Sequence, residues 1–122
     1  MPAIAPSTTT FENAGFTFRP LITPSTGSHE LAVWSLEVPS GARSEVHSMD
    51  REETFLVTSG MLSASIGGEV CLAKAGESIL VPAGSVLQVW NDSGSPATAI
   101  AVTSVGMRAT VDGATFQPPW SL

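Results

Sequence analysis

Glycine recurs in this chain at the spacing of turns between short strands, and that rhythm points to an all-β architecture. Gly60, Gly67-Gly68, Ala75-Gly76, Ala83-Gly84 and Ser93-Gly94 separate short apolar segments, and no helical periodicity is evident. Residues 31–38 show the strand pattern: Trp34, Leu36 and Val38 alternate with Ser35 and Glu37, which gives one buried face ending at the Pro39-Ser40-Gly41 turn. Further strands are expected at 54–58, 62–66, 70–74, 78–81, 86–90 and 98–105. Turn signals at intervals of roughly 8–12 residues indicate a sandwich or barrel. Residues 1–10, with Pro2, Pro6 and a run from Ser7 to Thr10, carry no periodicity. The expected organisation is an N-terminal arm over 1–15 and a single barrel domain over 16–122, with no internal repeat.

Two longer patterns overlie this punctuation. In the first, Gly41 is followed by five residues, His47-Ser48-Met49, three residues, Glu53, six residues and Gly60. In the second, Gly76 is followed by five residues, Pro82-Ala83-Gly84, two residues, Leu87, three residues and Asn91. These segments resemble the two sequence motifs of the cupin family, with the spacing intact throughout. Met49 and Leu87 stand where the family usually has histidine. The resemblance implies a cupin double-stranded β-helix, a small barrel of the jelly-roll type. It also implies that His47, Met49, Glu53 and Leu87 converge inside the barrel, and that two copies associate as a homodimer.

A typical member of the family presents imidazoles and a carboxylate there, a donor set suited to Fe, Mn, Ni, Zn or Cu. This chain offers one imidazole, one carboxylate, a thioether and a hydrocarbon at those positions. Leu donates nothing and Met only a soft, uncharged sulfur, so affinity for ordinary divalent metals is expected to collapse. The expectation is therefore no cofactor. If a metal is present, it is a weakly held transition metal on His47, Glu53 and Met49. Met49 is read as a flexible apolar filler, with a soft Cu(I) ligand as the alternative.

His47 and Glu53 then require another explanation. A carboxylate in an apolar barrel has a raised pKa and exchanges protons near neutrality, so the pair can act as general acid and base or anchor a ligand. Alternatively the two are a family remnant, each satisfying the other, because buried polar groups need partners. Strand parity places His47 with Met49 on one face and Leu87 with Val89 and Asn91 on one face. Trp34 and Phe55 have the parity to line a cavity that favours a flat or hydrophobic guest, or simply to pack the core. The expected ligand-binding set is Trp34, Met49, Phe55, Leu87 and Val89. Trp90 has the opposite parity, and Trp120, in Pro118-Pro119-Trp120, is placed to latch onto the barrel or a neighbour. Asn91 is expected to cap a strand end with its amide.

Composition narrows the partners. The 122 residues, 43% hydrophobic, suit one domain, which buries roughly two-thirds of the surface its unfolded chain exposes. A net charge of −6 with five scattered Lys and Arg excludes a phosphate-backbone partner. The single cysteine, Cys71, forms no internal disulfide, which fits a reducing compartment. No apolar run approaches the ~20 residues of a membrane span, and the first residues lack the order of a signal peptide. A cytoplasmic protein with a small-molecule partner is expected.

Three functions remain open at this level. One is a metal-independent small-molecule-binding barrel, either a binding module or a non-redox biosynthetic enzyme such as a cyclase, isomerase or dehydratase, with His47 and Glu53 as its acid/base or ligand anchors. A second is a metal-dependent oxygenase or cyclase with an atypical His/Glu(/Met) site. The third is a non-catalytic structural or dimerisation module.

Overall fold

The alternation seen at 31–38 continues through the chain and builds two facing sheets. The structure, a computed structural model, describes residues 3–122. Its strands are β1 (Phe11–Asn13), β2 (Phe16–Ile22), β3 (Leu31–Val38), β4 (His47–Met49), β5 (Glu53–Ser59) and β6 (Met61–Ile66). They continue with β7 (Glu69–Lys74), β8 (Ser78–Val81), β9 (Val86–Trp90), β10 (Ala97–Ser104), β11 (Ala109–Val111) and β12 (Ala114–Phe116). Short 3-10 turns cover Pro24–Thr26 and Pro119–Ser121. One sheet runs β1-β2-β3-β10-β5-β8 and the other β12-β11-β4-β9-β6-β7, with antiparallel pairing in each. This is the all-β, jelly-roll-type double-stranded β-helix expected from the sequence. No helix among the described residues is long and apolar enough to cross a membrane.

Inward-facing side chains of both sheets meet in one core. The central strand β10 contributes Ala97, Ala99 and Ala101, while its outward positions are larger. Ala101 lies opposite Trp34 on one side and Phe55 on the other. A methyl group between two aromatic neighbours leaves the interior space that those rings occupy.

Turn chemistry fixes the connections. Ala14-Gly15, Gly67-Gly68 and Asp112-Gly113 all have positive φ and join β1 to β2, β6 to β7 and β11 to β12. Such two-residue turns have a twist matching that of paired strands. Gly60 has a further constraint: at its φ of +72°, a Cβ would run into the Pro96 carbonyl oxygen.

Asn91 does more than end β9. Its amide nitrogen donates to the Val38 carbonyl at 2.9 Å and to the Ser95 carbonyl at 2.7 Å. Its Oδ1 accepts from the Ser93 amide at 3.0 Å and from the Ser93 hydroxyl at 2.8 Å. The backbone of Asn91 also pairs with Gly41 and Ala42. One buried side chain therefore ties the end of β3, the turn at 39–42 and the loop at 91–95 into a single unit, which sets the approach to β4.

The sheet begins earlier than expected. Phe11 and Asn13 pair with Phe18 and Phe16, so the boundary placed at 15–16 falls inside a hairpin, made possible by the Ala14-Gly15 turn. Of residues 3–10 all but the half-buried Ser7 are exposed, and Ser7 donates its amide to the Pro20 carbonyl and receives a hydrogen bond from Arg19. Pro2 lies outside the described residues.

Candidate functional site

The barrel holds a cavity of about 80 Å³ at the aromatic end. Its walls come from both sheets. β2 supplies Phe16 and Phe18, β3 supplies Trp34 and Leu36, and β5 supplies Glu53 and Phe55. From the other sheet come His47 and Met49 of β4, Val89 of β9, and Ala109, Val111 and Phe116. Pro118 and Trp120 close one side. Exposed Asn13, Ala14, Glu45 and Phe116 mark the mouth, and buried Leu36, Phe55, Met49 and Val89 the interior.

Glu53 points inward because β5 alternates, with Glu53, Phe55 and Val57 on the buried side. Its carboxyl group is completely buried, and neither oxygen has a hydrogen-bond partner. Burial penalises the charged form, and the pKa of Glu53 is raised from 4.5 to about 8. At neutral pH it is therefore a carboxylic acid, with a proton to donate and a carbonyl oxygen to accept.

His47 is half-buried, and its Nδ1 lies 2.8 Å from the Glu45 carbonyl. A carbonyl can only accept, so Nδ1 carries the proton and Nε2 keeps the lone pair in the neutral ring. His47 does not hydrogen-bond to Glu53. The alternative in which the two satisfy each other is therefore corrected. They belong to opposite sheets, and the imidazole is engaged by its own strand's approach while the carboxyl group is left free.

Of the other expected lining residues, Trp34, Met49, Phe55 and Val89 all face this cavity. Leu87 does not. It sits directly opposite His47 in the β4–β9 pairing, but it is fully buried in the core and is not part of the cavity wall. Among the described residues, no three or more His, Cys, Asp or Glu side chains gather as a cation site. Cys71 is a free, half-buried thiol on β7, away from this cavity.

Four aromatic walls were absent from the expected ligand set. Phe16 and Phe18 lie on a strand whose alternation is interrupted by Arg19-Pro20, and Phe116 is on the short β12. Trp120 is 92% buried, the complement of its 8% exposure, and stacks on Phe18 with ring centroids 3.8 Å apart and planes 4° from parallel. Its latching onto the barrel was foreseen, its place in the cavity wall was not. The Pro118-Pro119 pair, which restricts the backbone ahead of it, was the available signal. Trp90, by contrast, lies outside the cavity and carries the Arg43 guanidinium 4.6 Å from its ring.

Buried polar atoms without partners concentrate here. Glu53 Oε1 and Oε2, Trp34 Nε1 and Trp120 Nε1 all lack a hydrogen bond, and all three side chains line the same cavity. Such orphans are uncommon in folded proteins.

Comparison with known proteins places the chain. The family model described as "Cupin domain" matches residues 34–103. No curated protein matches the chain. Among solved structures, a cupin-like protein from Thermotoga maritima is similar with 20% identity over 88% of this chain and 83% of that one, TM-score 0.74. The polyketide cyclase RemF from Streptomyces resistomycificus matches with 19% identity over 85% of this chain and 73% of its own, TM-score 0.72. A sugar phosphate isomerase from Silicibacter pomeroyi matches with 22% identity over 80% of this chain and 66% of its own, TM-score 0.64.

Proposed function

The chain belongs to the cupin family, and from that premise we propose that it takes up a small molecule in the barrel cavity without a metal and moves protons on it, using Glu53 as general acid/base. The observation that carries this reading is the Glu53 carboxyl group, wholly buried, without a partner, and on the wall of an apolar cavity.

The donors do not fit a resident dication. One imidazole, one thioether and one carboxyl group held neutral by burial are the groups at the expected positions, and Leu87 supplies none. A cation there would have to ionise Glu53 and take most of its ligands from water or substrate. The same features suit proton transfer. A protonated Glu53 gives its proton to a substrate oxygen as charge builds there, and the carboxylate left behind takes a proton from carbon or oxygen. His47, held by Glu45 in the tautomer that frees Nε2, offers a second acceptor on the same wall. Burial among the surrounding side chains keeps the carboxyl group away from bulk solvent, so its pKa stays matched to operation near neutrality.

Non-redox chemistry of this kind covers cyclisation, isomerisation and dehydration. Two proteins of the same fold are named a polyketide cyclase and a sugar phosphate isomerase, which agrees with a proton-transfer role for the scaffold. The fold does not choose between them, because one scaffold hosts many chemistries.

A probe reaction tests the role of Glu53 directly. 5-Nitrobenzisoxazole is a flat, neutral molecule whose ring opens when a base removes its C3 proton. The protein is expected to accelerate this opening with a rate that rises with pH to a plateau above about 8, the value set by Glu53. Glu53→Gln is expected to lower it about 100-fold or more. Equal rates for wild type and Glu53→Gln would remove Glu53 as an acid/base.

A further inference from the structure

We infer that the cavity recognises a flat, uncharged guest carrying hydrogen-bond-accepting oxygens, carbonyl or phenolic, through the indole N–H groups of Trp34 and Trp120. The inference rests on the pocket reading above and adds the class of molecule that fills it.

Shape comes first. Phe16, Phe18, Trp34, Phe55, Phe116 and Trp120 supply aromatic surface from several elements. Trp120 and Phe18 stack in parallel at 3.8 Å, so each covers one face of the other and they form one flat aromatic unit in the wall. Apolar side chains such as Met49 and Val89 complete the interior.

Charge comes next. Among the described residues, no Lys or Arg lines the cavity; its ionisable side chains are Glu45, His47 and Glu53. A phosphate or carboxylate guest would find no guanidinium or ammonium and would meet the Glu45 carboxylate at the mouth. Anion sites are built from such cations.

The two indoles supply the specificity. A tryptophan N–H can only donate, and Trp34 is 98% buried and Trp120 92% buried, the complements of their 2% and 8% exposures. Neither N–H has a partner. Two stranded donors on one cavity ask for acceptor atoms that the chain itself does not provide. Trp120 is also held in place. Ser25 donates its amide and hydroxyl to the Leu122 carbonyl at 3.0 and 2.6 Å, and the Ser121 hydroxyl donates to the Pro118 carbonyl at 2.6 Å. A donor fixed before binding loses little freedom when a guest arrives. Together with the protonated Glu53, the side chains around the cavity carry three hydrogen-bond donors without a partner.

Three matched probes separate these elements at pH 7.5: tetralin, which has no acceptor; 1-tetralone, which adds a neutral carbonyl; and 1-naphthoate, which adds a charge. Calorimetric titration is expected to show 1-tetralone binding roughly 3- to 10-fold more tightly than tetralin, with 1-naphthoate weaker than 1-tetralone. The double substitution Trp34→Phe/Trp120→Phe, which keeps flat rings and removes both N–H groups, is expected to abolish the preference for 1-tetralone over tetralin while tetralin binding persists. Trp90→Phe, outside the cavity, is expected to leave all three affinities unchanged. Thermal unfolding of each variant establishes that it is folded. Binding of 1-naphthoate as tight as that of 1-tetralone would overturn the uncharged class. A 1-tetralone preference that survives the double substitution would overturn the indole donors while leaving the pocket standing. Failure of every probe to bind would overturn the pocket reading and the inference together.

Discussion

Raising the pH from 5 to 9 is expected to strip about 4 kcal/mol of folding stability from this protein through Glu53 alone, most of its full contribution. The group has a pKa of 4.5 when exposed and about 8 in the fold. Between those values the folded chain holds a proton that the unfolded chain has released, so each rise in pH favours unfolding. The contribution is intact below about 4.5, falls through the window, and is exhausted above about 8. With about 1.4 kcal/mol per unit, a shift from 4.5 to about 8 amounts to about 5 kcal/mol. The direction is opposite to that of a salt-bridged carboxylate, whose stability is lost on acidification. Glu53→Gln keeps the size and neutrality of the protonated side chain and has nothing to titrate. Urea unfolding at several pH values is expected to give a falling curve for wild type and a curve flatter by that amount for Glu53→Gln. Parallel curves would mean that the carboxyl group finds solvent or a partner in the folded protein.

The second large effect lies at the opposite end of the motif pair. Asn91→Ala is expected to destabilise the protein by about 3–5 kcal/mol, because four side-chain hydrogen bonds go and the Val38 carbonyl loses its side-chain donor, while the Ser95 carbonyl keeps only the Ser93 hydroxyl. Asn91 is 1% exposed, so water cannot take over cheaply. Asn91→Asp retains the oxygens that accept from Ser93 but replaces the donor to Val38 and Ser95 with another oxygen. It is expected to be comparably damaging at neutral pH. Thermal unfolding reads both, with a fall in Tm of about 10 °C or more. A loss below about 1 kcal/mol for Asn91→Ala would show that the loops at 39–42 and 91–95 hold without it.

These effects also show what the sequence disclosed. The strands at 31–38, 78–81 and 86–90 coincide with β3, β8 and β9, because clear alternation and a glycine or proline near at least one end mark them. The motif positions Gly60 and Asn91 carry structural duties that follow from their chemistry, an absent Cβ and a two-sided amide. β2 was not foreseen. Pro20 interrupts its pattern, and the register shift between Pro20 and Ile22 is how the sheet accommodates it. β11 and β12 are three residues each, too short for alternation to register, although Asp112-Gly113 between them is a strong hairpin signal.

At the site, the family resemblance put Glu53 and Met49 inside the barrel, and parity marked the faces of Trp34, Phe55 and Val89. Parity says which face a residue occupies and nothing about depth along the barrel. That is why Leu87, on the correct face, ends in the core rather than on the cavity. It is also why Trp120, remote in sequence from every motif, was missing from the wall. Its position depends on hydrogen bonds between Ser25 and Leu122 that join distant parts of the chain. The isolation of the Glu53 carboxyl group is likewise a three-dimensional property, set by what fails to reach it.

The direct measurement is the titration of Glu53 itself. Carbon-13 labelling of glutamate δ-carboxyl groups, followed by NMR from pH 4 to 10, with Glu53→Gln to assign the signal, reports the protonation state in the folded protein. A signal missing from Glu53→Gln and shifting with a midpoint of about 8 is the predicted result. A Glu53 signal with its midpoint near 4.5, the value for an exposed group, would contradict the neutral acid in an apolar cavity.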